Sequence, residues 1–141
     1  ITIPNGVTTI NKSAFYGCSS LTSIVIPDSV ISIGDSAFYG CSNLQCITIP
    51  HGVASISDSV FTDCSSLADV TIPDSVTIIG KYAFSNCSSL TNVIIPDGVT
   101  RIDNFAFSEC NNLSSVIIPE SVNIIHRLSF LNCFWVTLFF S

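Results

Sequence analysis

Positive charge is scarce in this sequence: Lys12, Lys81, Arg101 and Arg127 are the only cations among 141 residues, and the formal net charge is −6. Nucleic-acid backbones are held by clustered Lys and Arg, so four scattered cations exclude that class of partner. Charge of either sign is thin, at 10% of residues, while 48% are hydrophobic; such a chain buries a core and is not disordered. Histidine occurs twice, at His51 and His126. No Ser/His/Asp set, paired-carboxylate cleft or Gly-rich phosphate loop accompanies them, so the reading is that of a protein that is not an enzyme and uses no cofactor. Long hydrophobic runs are missing as well. The aromatic tail from Phe130 to Phe140 is roughly half the ~20 residues of a membrane-spanning helix. No leader or lipidation motif is visible, and the chain opens directly on Ile1-Thr2-Ile3-Pro4, which reads as a processed protein or an excised piece.

What is present is a period. Proline recurs at Pro4, Pro27, Pro50, Pro73, Pro96 and Pro119, and cysteine at Cys18, Cys41, Cys64, Cys87, Cys110 and Cys133, both sets without an insertion. A fixed period of this size predicts a solenoid whose units bury their apolar faces by stacking. The units run 1–23, 24–46, 47–69, 70–92, 93–115 and 116–138, with a three-residue tail. In Leu21-Thr22-Ser23-Ile24-Val25-Ile26-Pro27, period-two alternation points Ile24 and Ile26 inward and Ser23 and Val25 outward, so stacked copies form a parallel sheet ending at the proline. Asp28-Ser29 and its equivalents supply a turn. Val30 and Ile33 then return to the core, as a second, shorter strand. The stretch Gly34 to Gly40 reads as a single helical or 3₁₀ turn capped by Asp35 or Ser36, with Ala37 allowing close approach. At the position after it, Gly17, Gly40, Asp63, Asn86, Glu109 and Asn132, four or five of the six residues tolerate the left-handed backbone that a helical C-cap requires. Phe15, Phe38, Phe61, Phe84, Phe107 and Phe130 form a column, read as a stacked core spine.

The pattern I-P-x-x-V-x-x-I-x-x-x-A-F-x-x-C-x-x-L, repeated along the whole chain, resembles the BspA-like (Treponema-type) leucine-rich repeats. Coil 6 departs from it at Ser129, Phe134-Trp135 and Val136. The resemblance implies a curved solenoid with its parallel sheet on the concave face, and helical or 3₁₀ turns and loops on the convex side. It also implies surface or secreted proteins that adhere to other proteins; no catalytic motif comes with it.

Cysteines in register point the same way, which disfavours both disulfides and a converging zinc site. They are read as a buried thiol ladder, with Cys46, on the outward column, as the one accessible thiol. The turn column Asn5, Asp28, His51, Asp74, Asp97 and Glu120 is read as solvated, with Asp capping its own loop; a divalent cation bridging its carboxylates is the other reading. Sequons at Asn11, Asn86 and Asn112 are glycosylation candidates if the chain is secreted by a eukaryote.

Two places offer recognition. One is the outward strand face, with Thr48, Asp69, Thr71, Asn92, Ile94, Ile117, Leu138 and Phe140 as candidates; its C-terminal part reads as an apolar patch, for contact or as ordinary strand filling. The other is the pair of ends. Coil 1 presents Ile1, Ile3, Val7, Ile10 and Phe15, and the tail presents Val136 and Phe139, so uncapped coils predict head-to-tail assembly into filaments. The partner is therefore a protein or another copy of the chain, and the setting is extracellular or the cell surface.

Overall fold

A computed structural model describes all of residues 1–141 as a parallel β-solenoid of about six coils. Eleven short strands follow one another: β1 (Thr9–Ile10), β2 (Ser32–Ile33), β3 (Cys46–Thr48), β4 (Ser55–Ile56), β5 (Asp69–Thr71), β6 (Ile78–Ile79), β7 (Asn92–Ile94), β8 (Arg101–Ile102), β9 (Ser115–Ile118), β10 (Ile124–Ile125) and β11 (Thr137–Phe140). They form two ladders. The first contains a Thr2–Val25 bridge, the pair β3–β5 and the sheet β7–β9–β11; the second contains β1–β2 and β4–β6–β8–β10, and every pairing is parallel. The first ladder stops at each proline because that residue has no N–H to pair. The proline carbonyl instead accepts from the N–H three residues on, as in Val30 to Pro27 at 3.0 Å and Val76 to Pro73 at 3.0 Å, which turns the chain into the second ladder.

The stretch read as a helical turn is not a helix. Its N–H groups divide into two sets. Those of Ser36, Phe38 and Gly40 donate to the next coil, at Asp58, Val60 and Thr62, while those of Ala37, Tyr39 and Cys41 donate three residues back within the coil. An α-helix directs every N–H inward to its own chain, so stacking and helix formation compete for the same donors. The compromise is a ribbon bent by left-handed residues at two columns. One is the column anticipated from the sequence, with Gly17 and Gly40 near φ 70° and Asp63, Asn86, Glu109 and Asn132 near 60°. The other is Ser13, Ser36, Ser59, Tyr82, Phe105 and Leu128, all between 54° and 62°. Asp58, one coil on from the Asp35 read as a cap, acts between coils: its carboxylate accepts from the Lys81 N–H at 2.8 Å.

The interior follows the alternation. Ile24, Ile26, Val30, Ile33, Ala37, Phe38, Cys41 and Leu44 are all buried, while Ser23 and Val25 face out. Adjacent phenylalanine rings stack with centroids 5.2–5.6 Å apart and planes within 16°. Phe38, Phe61, Phe84 and Phe107 are fully buried, and the end rings Phe15 and Phe130 partly so. The cysteines of coils 2 to 6 do more than fill space. Each thiol donates to the carbonyl of the phenylalanine one coil back: Cys41 to Phe15, Cys64 to Phe38, Cys87 to Phe61, Cys110 to Phe84 and Cys133 to Phe107, at 3.0–3.2 Å. Burial pushes the Cys41 thiol up to about 11 and Cys64 to about 12. Cys18 has no preceding coil over it and is exposed, so it joins Cys46 as an accessible thiol.

Truncation of a fully buried ring in the middle of the spine, Phe84→Ala, should lower unfolding free energy by about 3–5 kcal/mol, read by urea denaturation. Ellman titration of the native protein should consume two thiols rapidly and the other five only on unfolding. The folded chain keeps the protons of Cys41 and Cys64 where an unfolded thiol near 9 loses them. Stability should therefore decline as pH rises past about 9, and a flat profile between pH 8 and 11 would contradict this account of the thiols.

Candidate functional site: the outward strand face

The outward side chains of the first ladder are aligned by register. Cys46 pairs with Asp69 and Thr48 with Thr71; Asn92 pairs with Ser115 and Ile94 with Ile117. Inward Ile47, Val70, Val93 and Val116 anchor the strands, so the outward column is held without contributing to the core. Two chemistries result. The column Asn92–Ser115 is polar and internally bonded: the Ser115 hydroxyl donates to Asn92 Oδ1 at 2.8 Å. The neighbouring column is apolar, with Ile94 74% and Ile117 47% exposed.

The last strand corrects two residues. A step equal to the repeat length puts Leu138 beside Ser115 and Phe140 beside Ile117, both outward. In the structure Thr137 pairs with Ser115, Leu138 with Val116, Phe139 with Ile117 and Phe140 with Ile118. A one-residue slip exchanges the two faces of a strand: Leu138 packs on the core and Phe139 takes the outward position, 53% exposed. In this register Phe140 falls beside inward Ile118, yet at the end of the chain its ring stays 73% exposed. The apolar strip is thus Ile94, Ile117 and Phe139.

The ladder is not continuous. No strand pairing joins Val25 to β3 or β5 to β7. At the second break lies a cleft of about 290 Å³ lined by Asp69, Thr71, Asn92 and Ile94; at the first, one of about 360 Å³ lined by Ser23, Val25, Cys46 and Thr48.

The ends differ from the expectation of an open first coil. Ile3 and Ile10 are buried against coil 2, Val7 and Phe15 are partly covered, and Ile1 is exposed. Inward side chains point toward the coil's own axis, so loss of one neighbour uncovers them only in part. The last coil is more open: Ile124, Ile125, Phe134, Trp135, Phe139 and Phe140 are exposed, while Val136 is partly covered. Its Ser129, in the place of the usual Ala, is buried with its hydroxyl donating to the carbonyls of His126 and Asp103.

The remaining candidates are dispersed. Asp28, Asp74, Asp97 and Glu120 are exposed in their turns. Their carboxylates do not cap the loops; the following serine bonds instead, as Ser29, Ser75 and Ser121 donate to Val7, Val53 and Val99 of the preceding coil. Asn11, Asn86 and Asn112 are exposed; Asn86 donates to Asp63 Oδ1 at 2.8 Å and Asn112 to the Ser88 carbonyl at 2.7 Å. One cluster escaped the sequence reading. Asp103, nearly buried, sits 3.2 Å from Arg101 Nε and 3.4 Å from His126 Nε2. Its signal was available, since Asp103 and His126 share a column with Asn11, Gly34, Ser57 and Gly80, where large charged groups are out of pattern.

Structures of the same shape are known. A leucine-rich repeat protein from Bacteroides ovatus is 37% identical with a TM-score of 0.85 over 94% of this chain, which spans about a third (34%) of that protein. A leucine-rich repeat protein of T. pallidum is 31% identical with a TM-score of 0.80, covering 99% of this chain and 72% of its own. A leucine-rich cell surface protein from Faecalibacterium prausnitzii, 24% identical with a TM-score of 0.62 over 99% of this chain and 59% of its own, shares the fold. No curated protein sequence matches the chain. Six copies of the BspA type leucine-rich repeat region match residues 1–102 and 54–140, and the chain belongs to that family.

Proposed function

We propose that this chain is a non-enzymatic protein-interaction module, adhesin-like and displayed at a cell surface or secreted, which binds a partner protein through the outward strand face. The observation that carries the reading is the strip Ile94–Ile117–Phe139, each about half exposed or more, held in water by three hydrogen-bonded strands and bordered by the Asn92–Ser115 column. Apolar area kept in water by a rigid sheet gains about 25 cal/mol per Å² when a partner covers it. The bordering amide and hydroxyl groups give register to what docks there. Thr48, Asp69 and Thr71 extend the face toward coil 3 and are more polar, so the affinity centre lies in coils 4 to 6. The described cell-surface character of the Faecalibacterium protein supports display outside the cell.

Specific observations favour a second reading, head-to-tail stacking of copies. The N–H groups of Leu128, Phe130 and Asn132 in the last coil donate to nothing, and the carbonyls of Lys12, Ala14 and Tyr16 in the first accept nothing. These are the groups that pair between successive coils elsewhere, so a second copy in the same register continues the ladder, with exposed Phe134 and Trp135 at the junction.

Ile94→Asp with Ile117→Asp should leave the fold intact, since both side chains are exposed, and weaken binding to a captured partner by about 30-fold or more, the loss of a central apolar anchor. Retained affinity by surface plasmon resonance would remove this face as the site. Light scattering and negative-stain electron microscopy test stacking: fibres that lengthen with concentration support it, and monodisperse single rods at high concentration refute it.

A further inference from the structure

The second ladder and the ribbon that follows it change character halfway along the rod. In coils 1 to 3 the left-handed column carries Ser13, Ser36 and Ser59; in coils 4 to 6 it carries Tyr82, Phe105 and Leu128 on the same backbone. Tyr82 and Phe105 stack at 4.9 Å with planes 2° apart, yet Tyr82 and Leu128 remain 42% and 45% exposed. Serine in three coils shows that stacking does not require a large side chain there. A bulky L-residue held at φ near +60° carries a backbone penalty, which these side chains, exposed at Tyr82 and Leu128 and half-buried at Phe105, do not recover by joining the core. The adjoining column carries Lys12, Asp35 and Asp58 in coils 1 to 3 and Lys81, Asn104 and Arg127 in coils 4 to 6, so its formal charge goes from −1 in the first half to +2 in the second. Three of the four cations of a chain with net charge −6 therefore lie in the half that carries the apolar ridge, with Arg101 partly neutralised by Asp103.

We propose that the ridge Tyr82–Phe105–Leu128, flanked by Lys81 and Arg127, is a second docking surface, separate from the strand face, for an acidic segment of a partner protein. Charge complementarity fixes the chemistry of the occupant: carboxylates over Lys81 and Arg127, apolar side chains over the ridge between them. Two coil steps of ~4.8 Å separate the cations by about 10 Å, close to one turn of polyproline II, three residues at ~3.1 Å each, in which side chains at i and i+3 point the same way. The fitting segment carries carboxylates at i and i+3 around two apolar residues. An anionic membrane is the weaker match, because two cations and three side chains fall short of stable anchoring.

The probe is a fluorescein-labelled decapeptide with Glu-Leu-Phe-Glu at its centre, followed by fluorescence anisotropy. Its counterpart has Lys-Leu-Phe-Lys, and phosphatidylserine vesicles serve as the membrane arm. The acidic peptide should bind, weaken about threefold or more between 50 and 300 mM NaCl, and bind at least about tenfold less to Tyr82→Ser/Phe105→Ser/Leu128→Ser. Lys81→Glu/Arg127→Glu, a change of exposed charges alone, should lose the acidic peptide and gain the basic one, and decides the matter if the triple variant fails to fold. Ile94→Asp/Ile117→Asp should bind like the wild type. Equal binding of both peptides, indifference to the charge reversal, loss of binding in the strand-face variant instead, or binding to vesicles without binding to the peptide would overturn the proposal.

Discussion

The hydrogen bond from one coil to the next is the interaction on which the rest of this structure depends. Main-chain donors such as Phe38 and Gly34, hydroxyl donors such as Ser75, and thiol donors such as Cys64 all find their acceptors about one repeat away. Unpaired buried polar groups are expensive, so this requirement propagates: once one coil is placed, every equivalent atom in the next has its position assigned. Phenylalanine rings then stack because their backbones stack, and Cys41, Cys64 and Cys87 hold their protons because burial around each thiol disfavours the thiolate, while a carbonyl one coil back accepts the S–H. The same requirement excludes a helix between Gly34 and Gly40, since alternate N–H groups are already taken.

Freedom is left only where a side chain points away from the stack. The outward strand column and the left-handed column each keep one backbone course along the rod, yet the first changes from Thr2, Val25 and Thr48 to Thr71, Ile94 and Ile117, and the second from serine in the first three coils to Tyr82, Phe105 and Leu128 in the last three. Neither set is demanded by packing. A scaffold of this kind separates the residues that fold it from those that recognise something, and single surface substitutions are tolerated because each coil leans mainly on its two neighbours. The left-handed column is the exception in one respect: bulky residues there carry a backbone penalty, so Tyr82, Phe105 and Leu128 mark a place where the surface works against local preference.

Much of this was legible in the residues. The proline, phenylalanine and cysteine columns, the inward direction of Ile24 and Ile26, the outward direction of Ile94 and Ile117 and the left-handed position at Gly40 all follow from period and alternation. Those are properties a residue has through its immediate neighbours in sequence, and strict repetition extends them over the chain. The family resemblance added the fold but not the site, which has to be read from variable positions.

What only the tertiary structure decided are the features in which a residue answers to a coil other than its own. The period placed Phe140 beside Ile117; the last strand pairs one residue out of that step, with Leu138 on the core and Phe139 beside Ile117. Local sequence around Ser36 favoured a helical turn; competition for N–H groups from the next coil imposed a ribbon. The burial of Ile3 and the meeting of Arg101, Asp103 and His126 likewise depend on neighbours one repeat distant. The sequence by itself determined the repeat, the strand alternation and the core columns, because these are written within each unit. Register at the end, turn geometry and the charged cluster belong to contacts between units, where packing space and hydrogen-bond donors are shared and one coil's choice constrains the next.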